Sequence, residues 1–504
     1  MIVRRFHLHS WLVAVSLPIA CCAAGCHGGE LIFGSGSEGA MAGQGGLSSS
    51  GVTDAGSVQA YTLVTSNEDA YWTTNVPVIE VTSEAADITV AEDTVAQLWE
   101  GFGGAFNELG WNYLTMNGLQ DEALPLLFGE EGCRFAFGRI PIGANDYAMD
   151  RYTLDETAGD YGMQYFSMDR DRRALIPYVK AALALNPNLH FWACPWTPPT
   201  WMKTGQKAGP APSAFDGGSM TDDPAILGAY ARYLTQFVLA YGTEGITIET
   251  VSPQNEPSYE ENFPSCLWDA GLYAQFIGSY LGPSLEAAGL STKVMLGTLS
   301  SDTVDPEFAA RVGYDANARR YIGVAGMQWD MLRVVAGMQQ QMQGLPIWQT
   351  EHKGGNYPWN PSGSPPYQRI APNDHAYAIE SWGLIRDWIK AGVTAYYAWN
   401  MVLDGAGKSL NTSRDWSQNA LLVVDAGRLI KTPTYYVFRH LSQFVAPQAR
   451  VLGTTGGDAL AFRNPDGRIV TVIYNRAAAK RLVVAFRNKK LAFDMPGNGW
   501  ATLR

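Results

Sequence analysis

The chain has 504 residues, of which 46% are hydrophobic and 12% aromatic, and a formal net charge of −12. That length holds one large domain and a smaller one. The acidic balance excludes nucleic acid and anionic membrane surfaces as partners, because both require a basic face. Only 17% of residues are charged, so a neutral or apolar substrate suits the composition. The 16 Trp and 24 Tyr supply flat faces that stack on sugars in clefts, although Trp equally fills cores.

Residues 1–26 read as a lipoprotein signal peptide. Arg4 and Arg5 form a basic head, and WLVAVSLPIACC (11–22) is an apolar run too short and too proline-broken to span a bilayer. AAGC, ending at Cys26, resembles a bacterial lipobox, whose cysteine carries the lipid. The expectation is export, with the protein held at the cell envelope or surface through Cys26, or else secreted; any membrane contact runs through that lipid. Residues 27–60 are rich in Gly, Ser and Ala and read as a flexible tether. Beyond the leader only Cys133, Cys194 and Cys266 remain, too few for a disulfide scaffold. Neither CxxC nor HExxH occurs, so no metal site and no cofactor is expected.

Residues 61–95 are assigned to N-terminal strands, two of them within 76–91, and the folded body is expected from about Trp72. From 96 to 431 apolar runs alternate with helical patterns. The runs are 97–103, 133–142, 189–195, 246–253, 293–299, 322–328, 345–350 and 393–399. Most are continuously apolar, as parallel strands covered on both faces are. Between them, Asp223–Pro224 reads as a helix N-cap and first turn. Apolar residues then recur at spacings of three and four until Gly242, which reads as the closing glycine. A second such helix spans 171–185 and stops at Asn186–Pro187. Eight such units predict a (β/α)8 TIM barrel in the α/β class. The alternative is an open doubly wound sheet, which favours a GxGxxG loop after the first strand; GFGGAF (101–106) lacks that spacing. From 432 to 504 short strands at 451–462, 469–474, 482–486 and 500–503, with turns such as NPDG, predict an antiparallel β-sandwich. The N-terminal strands have no βα partners and are placed in that same domain.

A TIM barrel carries its chemistry at the C-terminal ends of its strands. Glu256, in VSPQNEP, follows the fourth run, and Glu351, in WQTEHKG, follows the seventh. The barrel would bring both to one mouth. Two carboxylates across a cleft are what glycoside hydrolysis needs: one protonated to give its proton to the leaving oxygen, one ionised to attack carbon or activate water. Alone, a loop glutamate is more often a surface acid or the neighbour of a helix cap. Asn255 offers an amide to a sugar 2-hydroxyl. Arg139, within the second run, is placed to pair with a catalytic carboxylate and keep it ionised. Asp146 is either a sugar-hydroxyl acceptor or a turn former, and Trp196 and Trp399 either floor a sugar ring or pack in the core.

These motifs together resemble glycoside hydrolase family 30, over nearly the whole body from about residue 72. They are GFGGAFNE (101–108), RIPIGANDY (139–147), WACPWTPPTWMK (192–203), VSPQNEP (251–257), WQTEHKG (348–354), AWNMVLD (398–404) and WSQNALLVVD (416–425). The resemblance implies a barrel with a side sandwich built from both chain ends. It implies retaining chemistry, with Glu256 as acid/base and Glu351 as nucleophile. It also implies that Asp146, Trp196, Asn255, Trp329, Trp399 and Asn419, beside Arg139, hold substrate. Where glucosylceramidases of the family read HWY, this chain reads Gln328, Trp329, Asp330. That departure, with NFPSCLW (262–268) and the span 373–404, looks like the family's β-1,6-glucanases. The expected activity is therefore hydrolysis of β-1,6-glucan by a glucan endo-1,6-β-glucosidase. Glucosylceramidase, or a surface glycan-binding protein without catalysis, is the alternative. The partner implied in each case is a β-linked glucan or glucoside.

Overall fold

The computed structural model of the chain describes residues 61–342, 344–354, 375–413 and 417–504. The leader, Cys26, the tether at 27–60 and Trp416 lie outside the described residues.

Eight parallel strands close into a barrel: Gly101–Ala105, Phe137–Ile142, His190–Pro195, Ile248–Val251, Lys293–Leu299, Ile322–Met327, Ile347–Gln349 and Ala395–Asn400. The eighth returns to the first through the pairs Ala395↔Gly101 and Ala398↔Gly104, which leaves no edge and rules out the open sheet. Each predicted run overlaps one of these strands. The glycines of GFGGAF serve close packing: a Cβ on Gly103 would lie 2.5 Å from the Phe137 carbonyl oxygen, and one on Gly104 2.5 Å from Met401. The interior is filled by Phe137, Trp192, Met295, Val324, Trp348 and Tyr397, so the barrel is a packed core. Phe137 meets Trp348 at 5.5 Å, and Trp192 meets Tyr397 at 5.6 Å.

The first strand corrects the sequence reading. The apolar run at 97–103 straddles two elements: a sandwich strand, Ile88–Trp99, and the barrel strand that begins at Gly101. Trp99 pairs with Ala449, and the chain turns at Glu100 to enter the barrel. Helix Pro224–Thr243 starts as predicted, with Asp223 accepting from the N–H groups of Ala225 (2.8 Å) and Ile226 (3.2 Å). It runs one residue past Gly242, and Gly245, at φ 79°, makes the left-handed exit.

Nine strands from both chain ends form one sheet curled over its own apolar core: the sandwich. Three are N-terminal, Leu63–Ser66, Ile79–Val81 and Ile88–Trp99, so the ordered body starts before Trp72. Leu63 pairs with Leu503, which joins the two ends directly. The predicted run 451–462 is two strands, Ala449–Thr455 and Asp458–Arg463, split by a turn at Gly456 and Gly457, both at positive φ. Lys489–Met495 is a strand the sequence reading passed over. Strands resume only at Ala449, because Pro433–Ser442 is a helix capped by Thr432. That helix docks the sandwich on the barrel: buried His440 bonds Thr502 and Ser66 through its two ring nitrogens, each at 2.8 Å.

Candidate active site

Beyond the fourth barrel strand the chain stays tied to its neighbours. The Asn255 N–H donates to the Pro195 carbonyl (2.8 Å), and the Glu256 N–H donates to the carbonyl (3.2 Å) and hydroxyl (3.1 Å) of Thr298. Gln254 Nε2 donates to the Trp196 carbonyl (2.6 Å). These bonds hold Glu256 at φ 47°. The left-handed region costs a non-glycine residue about 1–2 kcal/mol, and here it aims the carboxylate into the mouth. Such strain persists where surrounding bonds over-determine it.

Glu351, just past the seventh strand, is buried. Arg139 Nη1 donates to its Oε2 at 2.6 Å, and the Trp329 indole N–H donates to its Oε1 at 2.9 Å. Arg139 is fully buried, below the cleft rather than in its wall. Its guanidinium lies 4.9 Å from the Trp192 ring centre and 4.4 Å from that of Trp196, a setting that offsets the burial of its charge. Arg139 Nη2 donates to Asn255 Oδ1 (2.6 Å), which also accepts from the Thr298 hydroxyl (3.0 Å). With Oδ1 occupied twice, the Asn255 amide nitrogen is the group left to donate.

A chain of bonds joins the two glutamates. Gln328 Nε2 donates to Glu256 Oε1 (3.2 Å), and Gln328 Oε1 accepts from the Thr350 hydroxyl (2.9 Å). The Thr350 carbonyl accepts from Arg139 (3.3 Å). The surroundings of the two acids differ. Glu351 faces a guanidinium and an indole N–H. Glu256 has its pKa raised well above the usual carboxylate range, by burial first and by the Glu351 charge second; hydrogen bonds from Gln328 and Ser300 offset this in part.

Both glutamates line a cleft of about 340 Å³ together with Asp146, Trp196, Asn255, Tyr259, Phe263, Ser300, Ser301, Trp329, Asp330 and Gln418. That is within the usual range for small-molecule clefts, about 300–1,000 Å³. Asp146 is buried, and its Oδ1 has no hydrogen-bond partner among the described residues. Its neighbour Asn145 makes the turn, accepting from the Tyr147 N–H (2.9 Å), so Asp146 is free of that task. Burial, then the Glu351 charge, pushes the Asp146 carboxyl up to about 8. Trp196 lines the cleft and stacks on Trp399 with ring centres 5.4 Å apart.

Besides Arg139, two predicted residues are not among the described lining of this cleft. Trp399 stacks behind Trp196, with the Arg139 guanidinium 5.2 Å from its ring centre, and both Trp399 and Asn419 border a separate, much smaller cavity with His352 and Thr434. Gln418 is the residue of SQN at the cleft, its Oε1 accepting from Asn400 Nδ2 (3.0 Å). The sequence reading also passed over Thr298, Ser300, Ser301, Thr350, Tyr259 and Phe263. The first four follow or end barrel strands, the one signal that would have marked them.

The loops carrying these walls are clamped by Arg151. It pairs with buried Asp216 through two 2.7 Å bonds and also donates to the carbonyls of Asn262 (3.1 Å) and Leu410 (3.0 Å). Loops from strands two, three, four and eight thus meet on one side chain. Arg151→Met is expected to leave Asp216 buried without its cation, at a cost of about 3–5 kcal/mol. Thermal unfolding checks this, and an unchanged melting midpoint would remove the clamp.

Residues 99–445 match the model of the glycosyl hydrolase family 30 TIM-barrel domain, and residues 449–503 that of the glycosyl hydrolase family 30 beta sandwich domain. An endo-1,6-beta-D-glucanase of Trichoderma harzianum is 27% identical over 409 residues, covering 74% of this chain and 74% of that protein. The lysosomal acid glucosylceramidase of Mus musculus is 24% identical over 413 residues, covering 78% and 77%. Among solved structures, SrfJ from Salmonella typhimurium shares the fold with a TM-score of 0.76 at 22% identity, over 88% of this chain and 99% of that one. An endo-β1,6-glucanase structure gives 0.72 at 25% identity, over 88% and 99%.

Proposed function

This chain belongs to glycosyl hydrolase family 30 and is a glycosidase, and on that premise we propose that it hydrolyses β-1,6-glucan with retention, using Glu351 as nucleophile and Glu256 as acid/base. The observation that carries the residue roles is the contrast between two carboxylates in one cleft. Glu351 accepts from a guanidinium and an indole N–H, while Glu256 is held toward its protonated form. In the first step a Glu351 oxygen bonds to the anomeric carbon as the glycosidic C–O bond breaks, and Glu256 gives its proton to the departing oxygen. In the second step Glu256 takes a proton from water, the water oxygen bonds to the same carbon, and the bond to Glu351 breaks. Asn255 donates to the 2-hydroxyl, Asp146 meets ring hydroxyls with its unpartnered oxygen, and Trp196 supplies the apolar face.

The choice of glucan is supported by the endo-1,6-glucanase relatives. Among the described lining residues, Ser300, Ser301 and exposed Asp330 bring polar groups to the cleft beside the aromatic faces of Trp196, Trp329, Tyr259 and Phe263. The test is chromatography of products from β-1,6-glucan with wild type and Glu351→Gln. The expected result is a ladder of β-1,6 oligosaccharides from wild type and none from the variant. Glucose released from glucosylceramide, with no glucan product, would overturn the substrate and leave the family chemistry standing.

A further inference from the structure

We propose that the cleft wall built by barrel strands four to six is a subsite for a hydroxyl-bearing sugar as leaving group, and that Asp330 selects such a group over an apolar one. This rests on the roles given above to Glu256 and Glu351.

The two glutamates divide the barrel mouth. Strands five and six lie between them on one side, and strands eight, one, two and three on the other. The second side is enclosed: Asp146, Trp196 and Gln418 are all buried there, next to buried Asn255. A ring whose anomeric carbon sits between the carboxylates is gripped by that fixed wall. Its leaving oxygen then departs along the open wall of Tyr259, Ser300, Ser301 and Asp330. The acid itself is supported from the open side, by Gln328 and Ser300. The group that receives the Glu256 proton therefore rests against these residues.

Asp330 is the charged member of that wall. Its N–H donates to the Ser300 carbonyl (3.1 Å), pinning it to the loop that supports the acid. Arg333 donates to Asp330 Oδ1 (3.0 Å) and to Asp302 Oδ2 (2.6 Å), and the Asp330 side chain, 64% exposed, keeps Oδ2 open to the cleft mouth. A carboxylate held in this way accepts hydrogen bonds from sugar hydroxyls. An acyl or alkyl leaving group laid on it would strip its water and return nothing. The same residue thus rewards one class of aglycone and penalises the other.

The test loads the glycosyl-enzyme from a nitrophenyl β-glucoside and lets a sugar acceptor, methyl β-glucoside, compete with 1-hexanol. Glu256 takes the acceptor's hydroxyl proton, the acceptor oxygen bonds to the anomeric carbon, and the bond to Glu351 breaks. Wild type is expected to transfer to the sugar in preference to the alcohol. In Asp330→Leu the ratio of sugar to alcohol transfer is expected to fall about tenfold, the size of one lost charge-assisted hydrogen bond; Asp330→Asn should fall in between. Arg333 keeps Asp302 in either variant, so no buried charge is orphaned. A purely structural role would slow both transfers alike, and an unchanged ratio in both variants overturns the proposal. Loading needs only an activated β-glycoside, so failure on β-1,6-glucan would strike the substrate reading alone. Absence of turnover with every activated β-glycoside would overturn the site roles and this subsite together.

Discussion

Glu351→Ala is expected to lose on the order of 10⁵- to 10⁶-fold in turnover of every β-glycoside the enzyme accepts, the scale seen when a nucleophile is removed. The reason is specific to this site: the first step has no other carboxylate held toward the opposite face of the sugar by Arg139 and Trp329. Azide, small enough for the vacated space, is expected to restore turnover of an activated aryl glycoside. The product is then the α-glycosyl azide, because one displacement replaces two. A loss without rescue, accompanied by a collapsed melting profile, would point to a folding defect, since the alanine leaves the buried guanidinium of Arg139 without its anion. Glu351→Gln separates the two effects. The amide oxygen still accepts from Arg139, although the anion is gone and the amide NH2 then meets the Trp329 indole N–H, so that variant should melt above the alanine variant and remain inactive. Full activity in either variant would end the nucleophile assignment.

Glu256→Gln is expected to slow hydrolysis of substrates with poor leaving groups by on the order of 10²- to 10⁴-fold. An aryl glycoside, whose leaving oxygen needs little help, should lose far less in the first step. Equal losses on both would count against the acid role. The pH profile gives a second readout. Wild-type activity requires Glu256 to carry its proton at the start of the first step, so activity falls as pH rises through a pKa that burial and the Glu351 charge have raised. In the glutamine variant that basic limb should vanish for the aryl substrate, since no proton is left to lose. Azide rescue here gives the β-glycosyl azide, because the nucleophile Glu351 is intact and only the second step changes.

Much of this was legible in local pattern. The run at 293–299 became Lys293–Leu299, and Asp223 caps its helix as its type and place before Pro224 suggested. Glu256 and Glu351 stood out because each follows a strand in a fold that gathers strand ends. The misread first strand has one cause: a linear pattern records that a residue is apolar, and not which sheet covers it. Gln97 to Gly103 therefore read as one strand, although Trp99 pairs with Ala449 in the sandwich and Gly101 with Ala395 in the barrel. Gln418 and Asn419 are adjacent and alike in chemistry, so only the backbone path sends the first to the cleft and the second to a neighbouring cavity.

The barrel, the sandwich drawn from both chain ends and the placing of the two carboxylates at strand ends are legible in the sequence alone, because hydrophobic period, caps and breakers act over a few residues. The tertiary structure decides how those carboxylates differ. Arg139 reaches Glu351 across 212 positions, Gln328 reaches Glu256 across 72, and Thr298 holds Glu256 in a left-handed backbone from 42 positions away. Hydrogen bonding, desolvation and Coulomb coupling act through space over a few ångströms, so the contrast on which the proposed acid and nucleophile roles rest exists only once the barrel has closed.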